Sequence, residues 1–351
     1  MIVLFVLFVL YGGLVLIAST NLILMRRPSG SSPICFEVMI PARNEESNLG
    51  LVIPPLVGSG VKVTVFDDES TDRTAEIAHD LGAKALTAKE VLPPGWTGKN
   101  RACHELSLLE TEEWVVFFDA DTIPDVEFGS ALSAFLSSRA DDIKVVSGFP
   151  KMLPGRGLEP AYLGWVPWVL LAANPFGIVA RTRMGHGRFT NGQIVAWRRE
   201  TVRDLLPFDT LKGEILEDVK IGRMLAKRNE RVEIANLSRI LSVRMYWTLQ
   251  EAIDGMSKNS GHIGGGFMGS FAFSLLMMIF GWGWLLGGHW WWLFLGLLLF
   301  SKFLTDRVVR APVWTIPFIP LTCLAASLTV IRSLVWIRKR SVRWKGRIYE
   351  S

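Results

Sequence analysis

The first 25 residues contain no Asp, Glu, Lys or Arg, and neither does the stretch from Asn259 to Ser301. Nothing else in the chain restricts its fold as much, because a helix of ~20 apolar residues is long enough to cross a bilayer core. The first stretch ends at Arg26-Arg27. A secretory leader opens with basic residues and closes on a small-residue cleavage site, whereas this chain opens Met1-Ile2-Val3-Leu4. The expectation is therefore an uncleaved anchor over 1–25, with the Arg pair and the segment after it in the cytoplasm. Composition agrees: half of the residues are hydrophobic, 20% are charged and the mean hydropathy is +0.30, against roughly 25% charged in a typical soluble domain. Disorder, a coiled coil and an ordinary cytosolic enzyme are excluded. Cys35, Cys103 and Cys323 are too scattered for a disulfide scaffold or a cysteine metal cluster. The net charge of +5 does not by itself imply nucleic acid. Much of it lies beside the apolar segments, as a topology signal.

The charge-free stretch from Asn259 is too long for one helix, and Gly287-Gly288 followed by Trp290-Trp291-Trp292 predicts a hairpin turn at an interface. A last apolar run, Ala311–Ile331, contains Pro312, Pro317 and Pro320 and leads to Arg338-Lys339-Arg340. A full hairpin plus a full last span would put this basic tail outside, against the positive-inside bias. Three spans in total, or a re-entrant last segment, put it inside, and a cytoplasmic tail is the reading favoured. The expected organisation is an anchor (1–25), a cytoplasmic domain (26–258), a membrane region of two or three helices (259–337) and a basic tail (338–351). The protein is thus expected to be multi-pass in the cell membrane. Within the middle domain, Tyr162–Ala180 is apolar and charge-free, with Trp165 and Trp168. It reads as a helix lying in the interface over 162–180, with a buried core helix as the alternative.

Between the apolar ends, strand-like and helix-like runs alternate. Glu37–Ile40, Val61–Phe66 and Trp114–Phe118 read as buried strands, and Glu46–Leu56, Thr71–Leu81 and Arg101–Leu109 as helices. Such alternation predicts an α/β domain, a parallel sheet covered on both faces. Ligands of such sheets lie beyond the carboxyl ends of the strands.

Those strand ends are polar. The first leads into Pro41-Ala42-Arg43-Asn44-Glu45, the second into Asp67-Asp68-Glu69-Ser70-Thr71-Asp72, and the third into Asp119-Ala120-Asp121-Thr122. Helix capping would explain Ser70, Thr71 or Asp72 singly. It does not explain two carboxylates one residue apart after Val115-Val116-Phe117-Phe118. Asp119 and Asp121 suit a hard divalent cation, which takes oxygen ligands and shares them with substrate phosphates. Glu217-Asp218 precedes a helical run to Lys227. It is either a dipole-complementing helix start or a general base that deprotonates an acceptor hydroxyl. Lys99, after Pro93-Pro94-Gly95-Trp96-Thr97-Gly98, opens a helix where a phosphate would bind. Arg244, in Val243-Arg244-Met245-Tyr246-Trp247, is equally well an ordinary surface cation. His186 has no second ligand at zinc spacing. No Walker sequence, dinucleotide fingerprint or nucleophile elbow is present.

In this order, Pro41–Glu45, Asp67–Thr74, Gly98-Lys99, Asp119-Ala120-Asp121 and Glu217-Asp218 resemble the inverting, GT-A-type glycosyltransferases of family 2, over roughly 36–250. The Pro93–Lys99 stretch and the anchor are similar to a membrane-bound subgroup that includes hopanoid-associated and diaponeurosporenoate (carotenoid) glycosyltransferases. Trp344–Tyr349 resembles the tail of ceramide glucosyltransferase-like members.

The resemblance implies a Rossmann-like GT-A nucleotide-sugar-binding domain with transmembrane helices. It implies that Pro41, Ala42, Arg43, Asn44, Glu45, Asp67 and Asp68 hold the base and ribose, with Lys99 near the ribose or diphosphate. Asp119 and Asp121, with Ala120 between them, would bind the Mg²⁺ or Mn²⁺ that bridges the diphosphate. Asp218 would be the catalytic base, oriented by Glu217. Asn191, Gly192 and Gln193 would form a small-residue loop under the donor sugar or acceptor. The Gln-x-x-Arg-Trp motif of processive synthases is missing, and Arg244 with Trp247 is the nearest substitute. The implied reaction moves one sugar from a nucleotide diphosphate-sugar, a UDP-sugar foremost, to an apolar lipid (carotenoid, hopanoid or glycolipid precursor) in the membrane. Rivals are a polyprenyl-phosphate or polysaccharide-forming transferase and a catalytically inactive lipid-binding scaffold.

Overall fold

The computed structural model describes residues 1–179, 189–214, 216–263, 266–338, 343–344 and 347–348. His186 and most of the basic tail lie outside the described residues. The chain divides into two compact units, one of 25–151 and 179–243, the other of 1–24, 152–178 and 244–351.

The strands of the first unit are β1 (Phe36–Ala42), β2 (Lys62–Asp67), β3 (Lys84–Thr87), β4 (Trp114–Phe118), β5 (Thr122–Pro124), β6 (Ile143–Phe149), β7 (Lys151–Met152, at its edge), β8 (Ile194–Arg198), β9 (Arg231–Asn236) and β10 (Leu241–Val243). Seven of them form one sheet in the order β3-β2-β1-β4-β8-β6-β9. β1, β2, β3 and β4 run parallel. β8 is antiparallel to both β4 and β6, and β9 is parallel to β6. The fold class is the expected Rossmann-like α/β one, but the purely parallel sheet is corrected to a mixed one. Ile194–Arg198 is a short apolar run, and its own residues do not distinguish an antiparallel strand from a parallel one.

Both faces of the sheet are covered, as central strands with continuous apolar runs require. Phe36, Val38 and Ile40 of β1 and Trp114, Val116 and Phe118 of β4 pack with Leu49, Val52, Ile53 and Leu56 of helix Glu46–Gly58. On the opposite face Phe117 meets Phe208, with ring centroids 4.6 Å apart. Burying one such side chain stabilises by about 1.5–3 kcal/mol, so this core fixes the strand ends that carry the polar loops. The three expected strands and the helices near 46, 74 and 98 are all present, with ends shifted by a few residues.

The second unit is helical. Its main members are Ile2–Leu24, Trp165–Ala173, Leu249–Asn259, Phe267–Trp282, Trp291–Val309 and Ile319–Arg338. The expected hairpin turn is a 3₁₀ segment, Gly283–Trp290, where Gly288 takes φ 54°, a value glycine adopts without the Cβ clash other residues meet. Among the described residues three stretches are long and apolar enough to cross a membrane: Ile2–Leu24, Phe267–Val309 and Val313–Arg338. Buried polar side chains tie the helices together. Tyr11 donates to the Phe280 carbonyl (3.0 Å), the Asn21 amide donates to the Leu171 carbonyl (2.7 Å), and Trp168 Nε1 donates to Ser301 Oγ (3.0 Å). Contacts of this kind join helices where no hydrophobic difference from the lipid exists to do so. Lys302 and Asp306, both almost fully buried, pair within helix Trp291–Val309.

Within the segment expected at 162–180, Trp165 and Trp168 are buried inside the protein, with the Trp168 ring edge-on to Phe280 at 5.9 Å. The segment is also broken into Glu159–Leu163, Trp165–Ala173 and Phe176–Val179. Residues 152–178 and 244–258 group with the apolar helices. Tyr162, Trp165, Trp168, Ala252 and Met256 share one apolar core with Leu7, Tyr11 and Leu298. Their aromatic bulk is buried against other helices rather than presented outward.

Candidate active site

The carboxyl ends of β1, β2 and β4 carry the polar loops. Asp68 N donates to the Ala42 carbonyl (2.8 Å), continuing the ladder past the strands. Asn44 and Glu69 take positive φ, 54° and 59°. Asn44 is a residue that tolerates this conformation because its short amide bonds locally, and here its Oδ1 accepts from Thr71 N (2.8 Å). Ser70 Oγ in turn accepts from Asn44 N (2.9 Å), and Thr74 Oγ1 accepts from Glu45 N (2.8 Å). The loops after β1 and β2 are thus laced together, which brings Pro41–Glu45 beside Asp67 and Asp68.

Asp67 is used within its own turn, accepting Ser70 N on Oδ1 (3.1 Å). Asp68, almost fully buried, is held by Arg101, whose Nη2 lies 2.5 Å from Oδ1. Arg43 donates to the Asp68 carbonyl (2.6 Å). Arg101 belongs to none of the sequence motifs, although its place two residues after Lys99 puts it on the same helix, Gly98–Ser107. Thr97 caps that helix, its hydroxyl accepting Asn100 N (3.2 Å), as the Thr97-Gly98 start allows.

Lys99 is the centre of the site. Its Nζ lies 2.7 Å from Asp119 Oδ1 and 2.8 Å from Glu217 Oε1. Three elements far apart in sequence therefore meet at one ammonium: the start of a helix, the end of β4, and the first residue of helix Glu217–Lys227. Burial opposes the Lys99 charge, but Asp119 and Glu217 overcome it and hold the ammonium well above its ordinary pKa. Burial raises the Asp119 carboxyl, and Lys99 partly offsets this. Asp121 is pushed up to about 7, by burial and then by the charges of Asp119 and Glu45.

Asp218 lies beside this cluster but is oriented by the backbone. Its Oδ1 accepts from Val219 N (2.7 Å) and its Oδ2 from Gly192 N (3.2 Å). Burial raises its pKa to about 6; the Glu217 charge adds to this, while Lys99 and the two N–H groups lower it. The Glu217 carboxylate pairs with Lys99, while the Gly192 N–H contacts the Asp218 carboxylate. Glycine keeps this corner open: a Cβ added at 192 would lie 3.3 Å from Lys99 Nζ and 3.4 Å from Asp218 Oδ2. Asn191 and Gln193 buttress the turn, with Asn191 Nδ2 donating to Gln193 Oε1 (3.0 Å) and the Gly148 carbonyl (2.9 Å). Asp119 N donates to the Gln193 carbonyl (3.1 Å). Pro41, Lys99, Asp119, Gly192, Glu217 and Asp218 line one pocket, and Phe117, Phe118, Val195, Phe208 and Ile221 supply its apolar wall.

Arg244 and Trp247 belong to the helical unit. There the Arg244 guanidinium lies 4.1 Å from the centre of the Trp247 ring, and Arg156 stands 5.8 Å from the same ring.

Residues 33–250 match the family described as "Glycosyltransferase like family 2". The chain belongs to this family. Among curated relatives, the 4,4'-diaponeurosporenoate glycosyltransferase of Staphylococcus haemolyticus (strain JCSC1435) is 26% identical over 262 residues, 68% of this chain and 66% of that protein. Its counterpart in Staphylococcus aureus (strain USA300) is 34% identical over 86 residues, 24% of this chain and 23% of that one. The matches thus span no more than about two thirds of these relatives' length. Among solved structures, glucosyl-3-phosphoglycerate synthase from Mycobacterium tuberculosis, in complex with Mn²⁺, UDP and glucosyl-3-phosphoglycerate, is 23% identical. It covers 66% of this chain and 85% of its own, with a TM-score of 0.43.

Proposed function

We propose that this glycosyltransferase moves a single sugar, with inversion, from a nucleotide diphosphate-sugar to a hydroxyl or carboxylate of an apolar lipid. The observation that carries the reading is the meeting of Lys99, Asp119, Glu217 and Asp218 in one pocket at the carboxyl ends of the strands. One carboxylate there, Asp218, has its pKa raised to about 6, the property expected of a general base working near neutral pH. The acceptor oxygen attacks the anomeric carbon, its proton passes to Asp218 when the acceptor is a hydroxyl, and the bond to the diphosphate breaks with its electron pair leaving on the phosphate oxygen. Lys99 offers a fixed positive charge to that leaving group.

Asp119 and Asp121 fit a divalent cation. They supply oxygen ligands only, and burial raises both carboxyls, with Lys99 paired to Asp119 and partly offsetting this. A pair of oxygen ligands suits Mg²⁺ or Mn²⁺ bound by one or two carboxylates and completed by phosphates. When bound, the ion would offset the charge that develops on the diphosphate.

The lipid acceptor is supported by the three membrane-length helical stretches and by the relatives named for a carotenoid substrate. An acceptor confined to the bilayer meets a tethered enzyme at high effective concentration. A cytoplasmic side for the α/β unit is the reading supported by Arg26-Arg27 after the first helix. Purified protein in nanodiscs would be given UDP- and GDP-sugars with Mn²⁺, Mg²⁺ or EDTA, with and without host lipid extract. The expected result is nucleoside diphosphate release with one donor, dependent on lipid and blocked by EDTA, with one sugar per lipid by mass spectrometry. Products carrying a growing glycan, or no release with any donor, would overturn it.

A further inference from the structure

Asn100 is fully buried, immediately follows Lys99, and takes no part in the family motifs. Its side-chain Nδ2 donates to three backbone carbonyls of one short segment: Leu211 (2.7 Å), Lys212 (3.2 Å) and Glu214 (3.1 Å). That segment leads through Leu216 directly into Glu217 and Asp218. Among the described residues the Asn100 Oδ1 has no partner, so the side chain acts here as a donor alone. Two backbone contacts fix the same segment to the same helix start. Thr97 N donates to the Lys212 carbonyl (2.7 Å), and a Cβ at Gly213 would lie 3.0 Å from the Gly95 carbonyl, so the two loops touch without room for a side chain.

From this we infer that Asn100 is a positioning residue: it clamps 211–214 to the Lys99 helix and so sets where Asp218 stands relative to Lys99. The inference rests on the transferase reading of the pocket. The logic is mechanical. Lys99 and Asp218 lie on different helices, and besides the Glu217–Lys99 ion pair and the Gly192 N–H on Asp218, the approach of helix Glu217–Lys227 depends on what holds the segment before it. One amide gripping three carbonyls of that segment limits its freedom to pivot. Backbone carbonyls in a buried turn must also be hydrogen-bonded, so an acceptor put in place of the amide would repel the segment it now holds.

Asn100→Asp keeps the shape and removes the donors; Asn100→Ala removes the side chain. Both full-length variants would be compared with wild type in nanodiscs by hydrogen exchange over 211–219, by titration with UDP or GDP plus Mn²⁺, and by steady-state transfer. Expected are faster exchange in 211–219 with helix Gly98–Ser107 still protected, nucleotide affinity within ~3-fold, and kcat reduced ~10–100-fold, the scale of a ~1 Å misplacement. The acid limb of the rate profile should also move down, because a loosened Asp218 is less desolvated. Unchanged exchange in 211–219, or unchanged kcat, would overturn the proposal. So would joint collapse of melting temperature and nucleotide affinity, which would make Asn100 a folding residue only. A wild-type protein that transfers no sugar from any donor would sink the transferase reading instead, and the exchange measurement would then decide the clamp by itself.

Discussion

The backbone N–H of Gly192 donates to Asp218 Oδ2 at 3.2 Å, so the carboxylate proposed as base is aimed by a main-chain group 26 residues earlier in the chain. The donor cannot be mutated away, but the space around it can. In Gly192→Ala the new methyl would stand 3.3–3.4 Å from Lys99 Nζ and from Asp218 Oδ2, and one of them must give. We expect kcat to fall ~10-fold or more, as for other small displacements of reacting groups, with melting temperature little changed. Wild-type kcat in the purified variant would contradict this geometry.

Burial pushes Asp218 up to about 6, and it must be ionised to accept a proton. Activity should therefore be full above this value and decline as pH falls through it. A profile of kcat/KM against pH should show one acid limb with its midpoint near 6, and Asp218→Asn should lose ~10²–10⁴-fold in transfer while still binding nucleotide. A variant with full activity would remove the assignment.

Asp121 leads to an opposite effect on stability. Its folded-state pKa, about 7, is above that of an unfolded aspartate, so the folded protein holds the proton more tightly. Its favourable contribution is present at low pH and is lost as pH rises through about 7, leaving a charged carboxylate that burial penalises. Asp121→Asn removes that charge. At a pH of about 8 in EDTA it should melt higher than wild type, by at least the ~2–4 °C that corresponds to ~1 kcal/mol in a large domain. Adding Mn²⁺ should then stabilise wild type more than the variant. A lower melting point for the variant in EDTA would refute the reading.

The chemistry is more legible in the sequence than the architecture. Asp119, Asp121, Lys99 and Glu217-Asp218 stand out because charged residues directly after apolar runs, or at the start of a helical one, are conspicuous. Helix-opening Lys99 can be placed from its Pro-Pro-Gly-Trp-Thr-Gly approach. Arg101, Asn100 and the N–H of Gly192 are not legible, since their roles depend on partners 26–114 residues away or on backbone direction, which residue type does not encode. The surroundings of Trp165 and Trp168 are not legible for a related reason: an apolar, Trp-rich helix has the same composition whether its rings meet lipid or the neighbouring helices.

Lys302 and Asp306 allow a test in the helical unit. Removing one member of a buried pair strands the other, a cost of about 3–5 kcal/mol, whereas replacing both by apolar residues is often neutral. Lys302→Met should therefore lower the melting temperature sharply, and Lys302→Met with Asp306→Leu should recover most of it. Equal losses in the single and double variants would show that the pair contributes through something other than charge balance.

The pairing of β4 with β8 sets Phe118 opposite Ile194 and Phe117 opposite Val195. Because the two strands run in opposite directions, the tail of one and the head of the other coincide, and Asp119 emerges beside Gln193. The sheet is in effect a ruler. It measures the interval between Asp119, proposed to act at the leaving group, and the turn that contacts the proposed base, and it reads in residue count rather than side-chain identity. Apolar residues along β4 and β8 could be exchanged for one another while the reaction geometry survives, but inserting or deleting one residue in either strand would shift the scale by a full division and turn each displaced side chain to the other face.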